Sequence, residues 1–219
     1  MIIYKQSTDI NQFLISQHRQ GKKIGFVPTM GALHEGHLSL IEESKKLNQM
    51  TVCSIFINPR QFNNPNDLLH YPVTIDQDIQ KLEEHGCDIL FLPAISDIYP
   101  EDFQPKHYDL GYLETVLEGK YRPGHFQGVC AVVEQLLKIC TSHTLYLGKK
   151  DYQQCLVIKR LCEINECDVQ IVLNVNLSVG IELNSDKASD ECCVLNSSVW
   201  SASLNKKPCG QCLAHGELF

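Results

Sequence analysis

No apolar run in this 219-residue chain approaches the roughly 20 residues that a helical bilayer span requires, which excludes a transmembrane helix. A basic stripe is also missing. The 19 Lys and Arg are scattered and outnumbered by 26 Asp and Glu, for a net charge of −7, so the electrostatic footprint of a nucleic-acid binder is absent. The opening MIIYKQSTDINQFL lacks the basic segment, apolar stretch and small-residue cleavage site of a secretory signal. The expected location is cytoplasmic, and the expected partners are small molecules rather than nucleic acid or membrane. Neither internal repeats nor low-complexity tracts occur, which excludes solenoid and array architectures.

What is present fits an ordinary soluble α/β protein. Hydrophobic residues make up 43% and charged residues 21% of a chain long enough for one substantial core. Of eleven cysteines, Cys53, Cys130, Cys140, Cys155 and Cys162 fall within apolar patterns, where free Cys acts as a small hydrophobe. The odd count leaves at least one thiol unpaired within a monomer.

Short apolar runs at KIGFVP (23–28), TVCSIFI (51–57), DILFLP (88–93), TLYLG (144–148) and VQIVLNV (169–175) read as buried strands. Helical spacing separates them: Leu40, Ser44 and Leu47 share a stripe in 37–47, Ile75, Ile79 and Leu82 in 75–85, and Val129, Val132, Val133, Leu136 and Leu137 in 128–139. Strands alternating with helices predict a Rossmann-like, doubly wound parallel sheet over 1–175, with ligands at the carboxyl ends of its strands. Beyond about residue 175 no sustained period continues.

The candidate chemistry sits at those strand ends. In FVPTMGALHEGHLSLI (26–41), Pro28 is expected to end strand pairing, Gly31 and Gly36 to allow a tight turn, and a helix to begin near His37. Strand, glycine turn and helix N-terminus form an anion site, with His34 and His37 as the donors available to complete it. From spacing alone the two histidines read equally well as a loop residue and a helix-start residue. INPRQF (57–62) offers Asn58 and Gln61 as amides for a polar substrate, or as loop filler. EGKYRPGHFQG (118–128) brings Glu118, Arg122 and His125, or only a turn. YLGKKDYQQ (146–154) places Lys149, Lys150 and Asp151 at a helix start with Gln153 and Gln154 one turn on. There a lysine suits phosphate, and Asp151 suits a helix cap or a metal.

PTMGALHEGH, INPRQF, HYP (70–72), LEGKYRPGHFQGV and GKKDYQQ together resemble, in order and separation, the signatures of the pantothenate synthetase family, ATP-dependent pantoate-β-alanine ligases of the HxGH nucleotidylyltransferase superfamily. The resemblance runs from residue 1 to about 173. It implies that pantoate is adenylated by ATP with release of pyrophosphate, and that β-alanine then displaces AMP. It implies an ATP site lined by Met30, Gly31, Ala32, Leu33, His34, Glu35, Gly36 and His37, and by Gly148, Lys149, Lys150, Asp151 and Leu177. His34, His37 and Lys150 would be catalytic on the phosphates. Gln61, Gln154 and Asn58 would hold substrate. Mg2+ would accompany ATP without a metal site of the protein's own, and the assembly would be a homodimer.

The chain departs from the family after that point. Where a Ser-Ser-Arg-Asn run is expected, residues 185–189 read SDKAS, and Lys187 is a poor substitute for a forked guanidinium. The family's C-terminal lid domain has no counterpart in the divergent tail 176–219. That tail reads either as an out-of-frame product, leaving a non-catalytic nucleotide-binding remnant, or as a replacement lid. Cys192, Cys193, Cys209 and Cys212 do not have zinc-ribbon spacing.

Overall fold

A computed structural model of the chain describes residues 1–174. Its strands β1 (Ile2–Tyr4), β2 (Ile24–Thr29), β3 (Met50–Ile55), β4 (Ile89–Phe91), β5 (Thr144–Gly148) and β6 (Gln170–Asn174) form one parallel sheet in the order β1-β4-β3-β2-β5-β6. The helices are α1 (Ser7–Arg19), α2 (Glu35–Leu47), α3 (Pro65–Leu69), α4 (Ile75–Glu84), α5 (Ile95–Ile98), α6 (Leu117–Tyr121), α7 (His125–Cys140) and α8 (Tyr152–Ile164). None of these is long and apolar enough to cross a membrane.

Side-chain alternation along the strands explains why both sheet faces are covered. Val27, Cys53, Leu90 and Tyr146 point to one face and join Leu40 and Ile41 of α2 and Leu82 of α4 in a single apolar cluster. The intervening Phe26, Val52, Ile89 and Leu145, also fully buried, turn to the opposite face. There α7 packs against α1 and α8. Continuously apolar strands between two helical layers are the signature of a doubly wound fold, as the sequence pattern predicts. Cys53, Cys130, Cys140, Cys155 and Cys162 are free and buried, as core fillers should be.

The chain steps from β2 through β3 to β4, then crosses back to lay β5 on the other side of β2. Strand order reverses between β2 and β5, the position at which such sheets open a crevice beyond their carboxyl ends. The β2–β5 ladder is short, pairing only Gly25 with Thr144 and Phe26 with Leu145. On its other side β2 stays in register with β3 through Pro28–Ser54 and Thr29–Ile55. Pro28 therefore does not end the strand. It removes a single N–H, and pairing with β3 continues past it.

Two further expectations change. α2 begins at Glu35 rather than His37, because His34 supplies the cap. Leu47, counted in the apolar stripe, is 57% exposed, while Leu40 and Ser44 are buried. The three-residue edge strand β1 was not anticipated, being too short to show a period.

Candidate active site

The turn that leaves β2 is held in an unusual backbone path. Gly31 has φ +90° and Ala32 φ 50°, both left-handed. A Cβ on Gly31 would lie 3.0 Å from Ile55 Cγ2 and 3.2 Å from Asp78 Oδ2, so a larger residue there would be both crowded and strained in torsion. The turn delivers His34 to the N-cap of α2, where its Nδ1 accepts the Gly36 N–H at 3.0 Å. His34 in turn donates its own N–H to His37 Nδ1 at 3.4 Å, and the two rings stack with centroids 4.1 Å apart. A ring nitrogen that accepts carries no proton, so both neutral imidazoles are Nε2–H tautomers.

This arrangement alters the expected anion site. The N–H groups of Ala32 and Leu33 do not face a ligand; they donate to Oδ2 and Oδ1 of Asp78 at 2.9 and 2.8 Å. Gly31 donates to Thr29 Oγ1 at 3.3 Å. These main-chain donors are spent on building the loop, and the imidazoles become the groups suited to meet phosphate. Asp78, fully buried on α4, also accepts from Thr74 Oγ1 at 3.1 Å. Lys81, one turn on, donates to Leu33 O at 2.5 Å. Sequence reading missed this buttress, because TIDQDIQKLEE shows only an amphipathic helix with several acids, and nothing local marks Asp78 among them.

Across the switch point, β5 ends at Gly148 and a 3-10 turn, Lys149–Asp151, leads into α8. The Lys149 and Lys150 side chains are exposed. Burial lowers the His34 pKa, and the nearby positive charges of Lys150 and Lys81 lower it further. The Lys150 charge thus reaches His34, although the two residues lie more than a hundred positions apart in sequence. Burial also pushes the Asp151 carboxyl up to about 6, against the pull of Lys150.

The third wall comes from the turn Pro59–Gln61 after β3. Gln61, 3% exposed, donates from Nε2 to Met30 Sδ at 2.9 Å, which joins the INPRQF and PTMGALHEGH segments. Asn58 makes four hydrogen bonds within the protein. Its Oδ1 accepts Tyr99 OH at 2.9 Å and Arg60 N–H at 3.2 Å, while Nδ2 donates to Gln61 Oε1 and Gly128 O, each at 3.1 Å. Asn58, with no solvent exposure, braces Gln61, and each of the two amides has both its oxygen and its nitrogen engaged by protein groups. His125, at the first turn of α7, contacts Gln61 O through Nδ1 at 2.9 Å, and burial lowers its pKa. Gly128 permits this docking: a Cβ there would lie 2.3 Å from Arg60 O.

Gln154 is buried in the first turn of α8. Its neighbour Gln153 pins the α6 approach, donating to Leu113 O and Val116 O and accepting from Glu118 N–H. Glu118 and Arg122 pair with each other at 3.4 Å. Among the described residues no group of three or more His, Cys, Asp and Glu is gathered for a metal. Leu177, Lys187, Cys192, Cys193, Cys209, Cys212 and the whole of 176–219 lie outside the described residues.

A parallel α/β sheet whose strand order reverses between β2 and β5, with two stacked imidazoles at the start of α2, has the layout of the doubly wound folds that take ligands beyond the carboxyl ends of their strands. The family described as pantoate-beta-alanine ligase matches residues 2–176, and the chain belongs to it. It is 45% identical over 174 residues to pantothenate synthetase from Flavobacterium psychrophilum, covering 78% of this chain and 61% of that protein. It is 51% identical over 157 residues to pantothenate synthetase from Francisella tularensis subsp. novicida, covering 72% of this chain and 59% of that protein. Among solved structures it resembles pantoate-beta-alanine ligase from Francisella tularensis complexed with beta-gamma ATP and beta-alanine. That match has a TM-score of 0.73 and 46% identity over 80% of this chain and 66% of that one. Pantothenate synthetase from Thermus thermophilus gives a TM-score of 0.74 at 38% identity, over 80% and 61%. The chain spans about three fifths of the length of the curated relatives it matches.

Proposed function

We propose that the described fold is the ATP- and pantoate-binding part of a ligase that joins pantoate to β-alanine, and that 1–175 is the unit that does so. Pantoate carboxylate attacks the α-phosphorus of ATP and pyrophosphate leaves. The amine of β-alanine then attacks the pantoyl carbonyl and AMP leaves. The observation that carries this reading is the stacked His34–His37 pair at the start of α2, with Nδ1 acceptors turned onto main-chain N–H groups. Imidazole N–H groups and an ammonium stabilise charge on phosphoryl oxygens without a covalent enzyme intermediate. His34, His37 and Lys150 serve the phosphates, the 30–37 and 148–151 segments hold the nucleotide, and Gln61 and Gln154 hold pantoate.

Mg2+ fits as a companion of the triphosphate, since that ion keeps phosphate and water ligands and needs only one or two carboxylates. Asp151 is the carboxylate that would hold it, and the ion would neutralise phosphate charge. We place the protein in the cytoplasm, a reducing compartment suited to the free cysteines of the described residues. A homodimer is proposed from the family resemblance.

Purified chain mixed with ATP and Mg2+ is expected to release pyrophosphate only when pantoate is added, and AMP only when β-alanine follows. Binding of ATP with no pantoate-dependent pyrophosphate would instead favour the non-catalytic nucleotide-binding reading, which nothing in the described site supports.

A further inference from the structure

The peptide unit between Leu33 and His34 is gripped from two sides. Its carbonyl accepts Lys81 Nζ at 2.5 Å, and its N–H donates to His37 Nδ1 at 3.4 Å. The preceding N–H, on Leu33, is fixed on Asp78 Oδ1 at 2.8 Å, and that on Ala32 on Asp78 Oδ2 at 2.9 Å. One turn of α4 thus fixes three successive main-chain groups leading into the histidine pair. The helix is itself anchored, with Leu82 fully buried and Ile75 and Ile79 packed on the core. Such a grip is what a strained path requires: Ala32 at φ 50° costs on the order of 1 kcal/mol, and that conformation persists only where surroundings over-determine it.

We propose that Asp78 and Lys81 are positioning residues for the histidine pair: by holding the peptides on either side of Leu33, they aim the His34 N–H at His37 Nδ1. That contact keeps the proton of the neutral His37 ring on Nε2, and the same grip holds His34 at stacking distance. Neither α4 residue is assigned a contact with the reacting atoms. Their consequence for ATP rests on the functional reading above, whereas their effect on the rings does not.

The experiment uses the full chain labelled with 15N in its histidine rings. Ring-nitrogen chemical shifts report the tautomers, calorimetry reports ATP affinity, and melting reports folding. Lys81→Met is expected to move His37 from a single Nε2–H form to a mixture of tautomers and to weaken ATP binding by about tenfold, the scale of one lost coupling contact. Lys81→Arg, which keeps a donor, should restore both. Asp78→Asn, which presents an amide N–H to one of two main-chain donors, should show the larger ring effect. If Asp78→Asn does not fold, the half-buried Lys81 carries the test alone. Wild-type ring signals in folded Lys81→Met would overturn the proposal. If the unaltered chain binds no ATP, the functional reading falls, and the ring signals still decide the positioning role.

Discussion

Asn58 Nδ2 donates to Gln61 Oε1 at 3.1 Å, tying a residue with no solvent exposure to the amide proposed to take pantoate. The same side chain satisfies Tyr99 OH, the Arg60 N–H and the Gly128 carbonyl. Asn58→Leu would leave the buried Gln61 Oε1 and Gly128 carbonyl, and the part-buried Tyr99 OH and Arg60 N–H, short of a partner. The expected cost is about 3 kcal/mol, which for a domain of this size lowers the melting temperature by roughly 10 °C. Pantoate affinity should fall as well, since Gln61 loses its anchor, whereas ATP affinity should change little. Equal losses for the two ligands would show that Asn58 does not act through Gln61.

Gly128 and Gly148 should respond oppositely to alanine. At Gly128 the new methyl would sit 2.3 Å from Arg60 O and 2.6 Å from Arg60 C, both main-chain atoms that cannot swing aside. Separating α7 from the Pro59–Gln61 turn is expected to cost about 1–3 kcal/mol. At Gly148 nothing lies within 4 Å and φ is −76°, so alanine should leave the stability of the free protein within about 0.5 kcal/mol. Paired thermal melts of the two variants measure the contrast.

Two histidines should contribute a loss of stability in mild acid. His34 and His125 are both lowered from 6.5, chiefly by burial. Between the folded values and 6.5 the unfolded chain binds more protons, so acidification below 6.5 favours unfolding. Asp151 works the other way. Raised from 3.8 to about 6, it contributes stability that is present below 3.8 and lost as pH rises through about 6. The His125→Gln variant isolates the first effect: its melting temperature should decline less steeply than wild type as pH drops from about 7 to about 5. Parallel profiles would show that His125 carries no such linkage.

The central strands were legible because they are buried on both faces, and burial writes itself as apolar runs bounded by Gly and Pro. TLYLG coincides with β5 residue for residue. The histidine pair was legible as a motif but not in its chemistry. Spacing suggested that backbone donors would face the phosphate, whereas they close onto Asp78 some 45 positions away in sequence, a pairing no local window contains. Asn58 stayed open between two readings for a related reason: an amide looks alike whether it serves a ligand or a neighbouring side chain, and the packing of Tyr99 and Gly128 around it lies in no local window. Leu47 followed the helical period yet lies beyond the reach of the core, at the last turn of α2.

The two-rung ladder between β2 and β5 bears on more than the crevice it opens. Six rungs join β2 to β3, and five join β5 to β6. The sheet is therefore two well-bonded leaves stitched along a short seam, and the groups proposed for the phosphates sit one set on each leaf. Opening of that seam is a lower-energy event than loss of either leaf, so amide exchange should register the leaves as separate cooperative units. In that exchange the β5 amides facing β2 lose protection before those of β3.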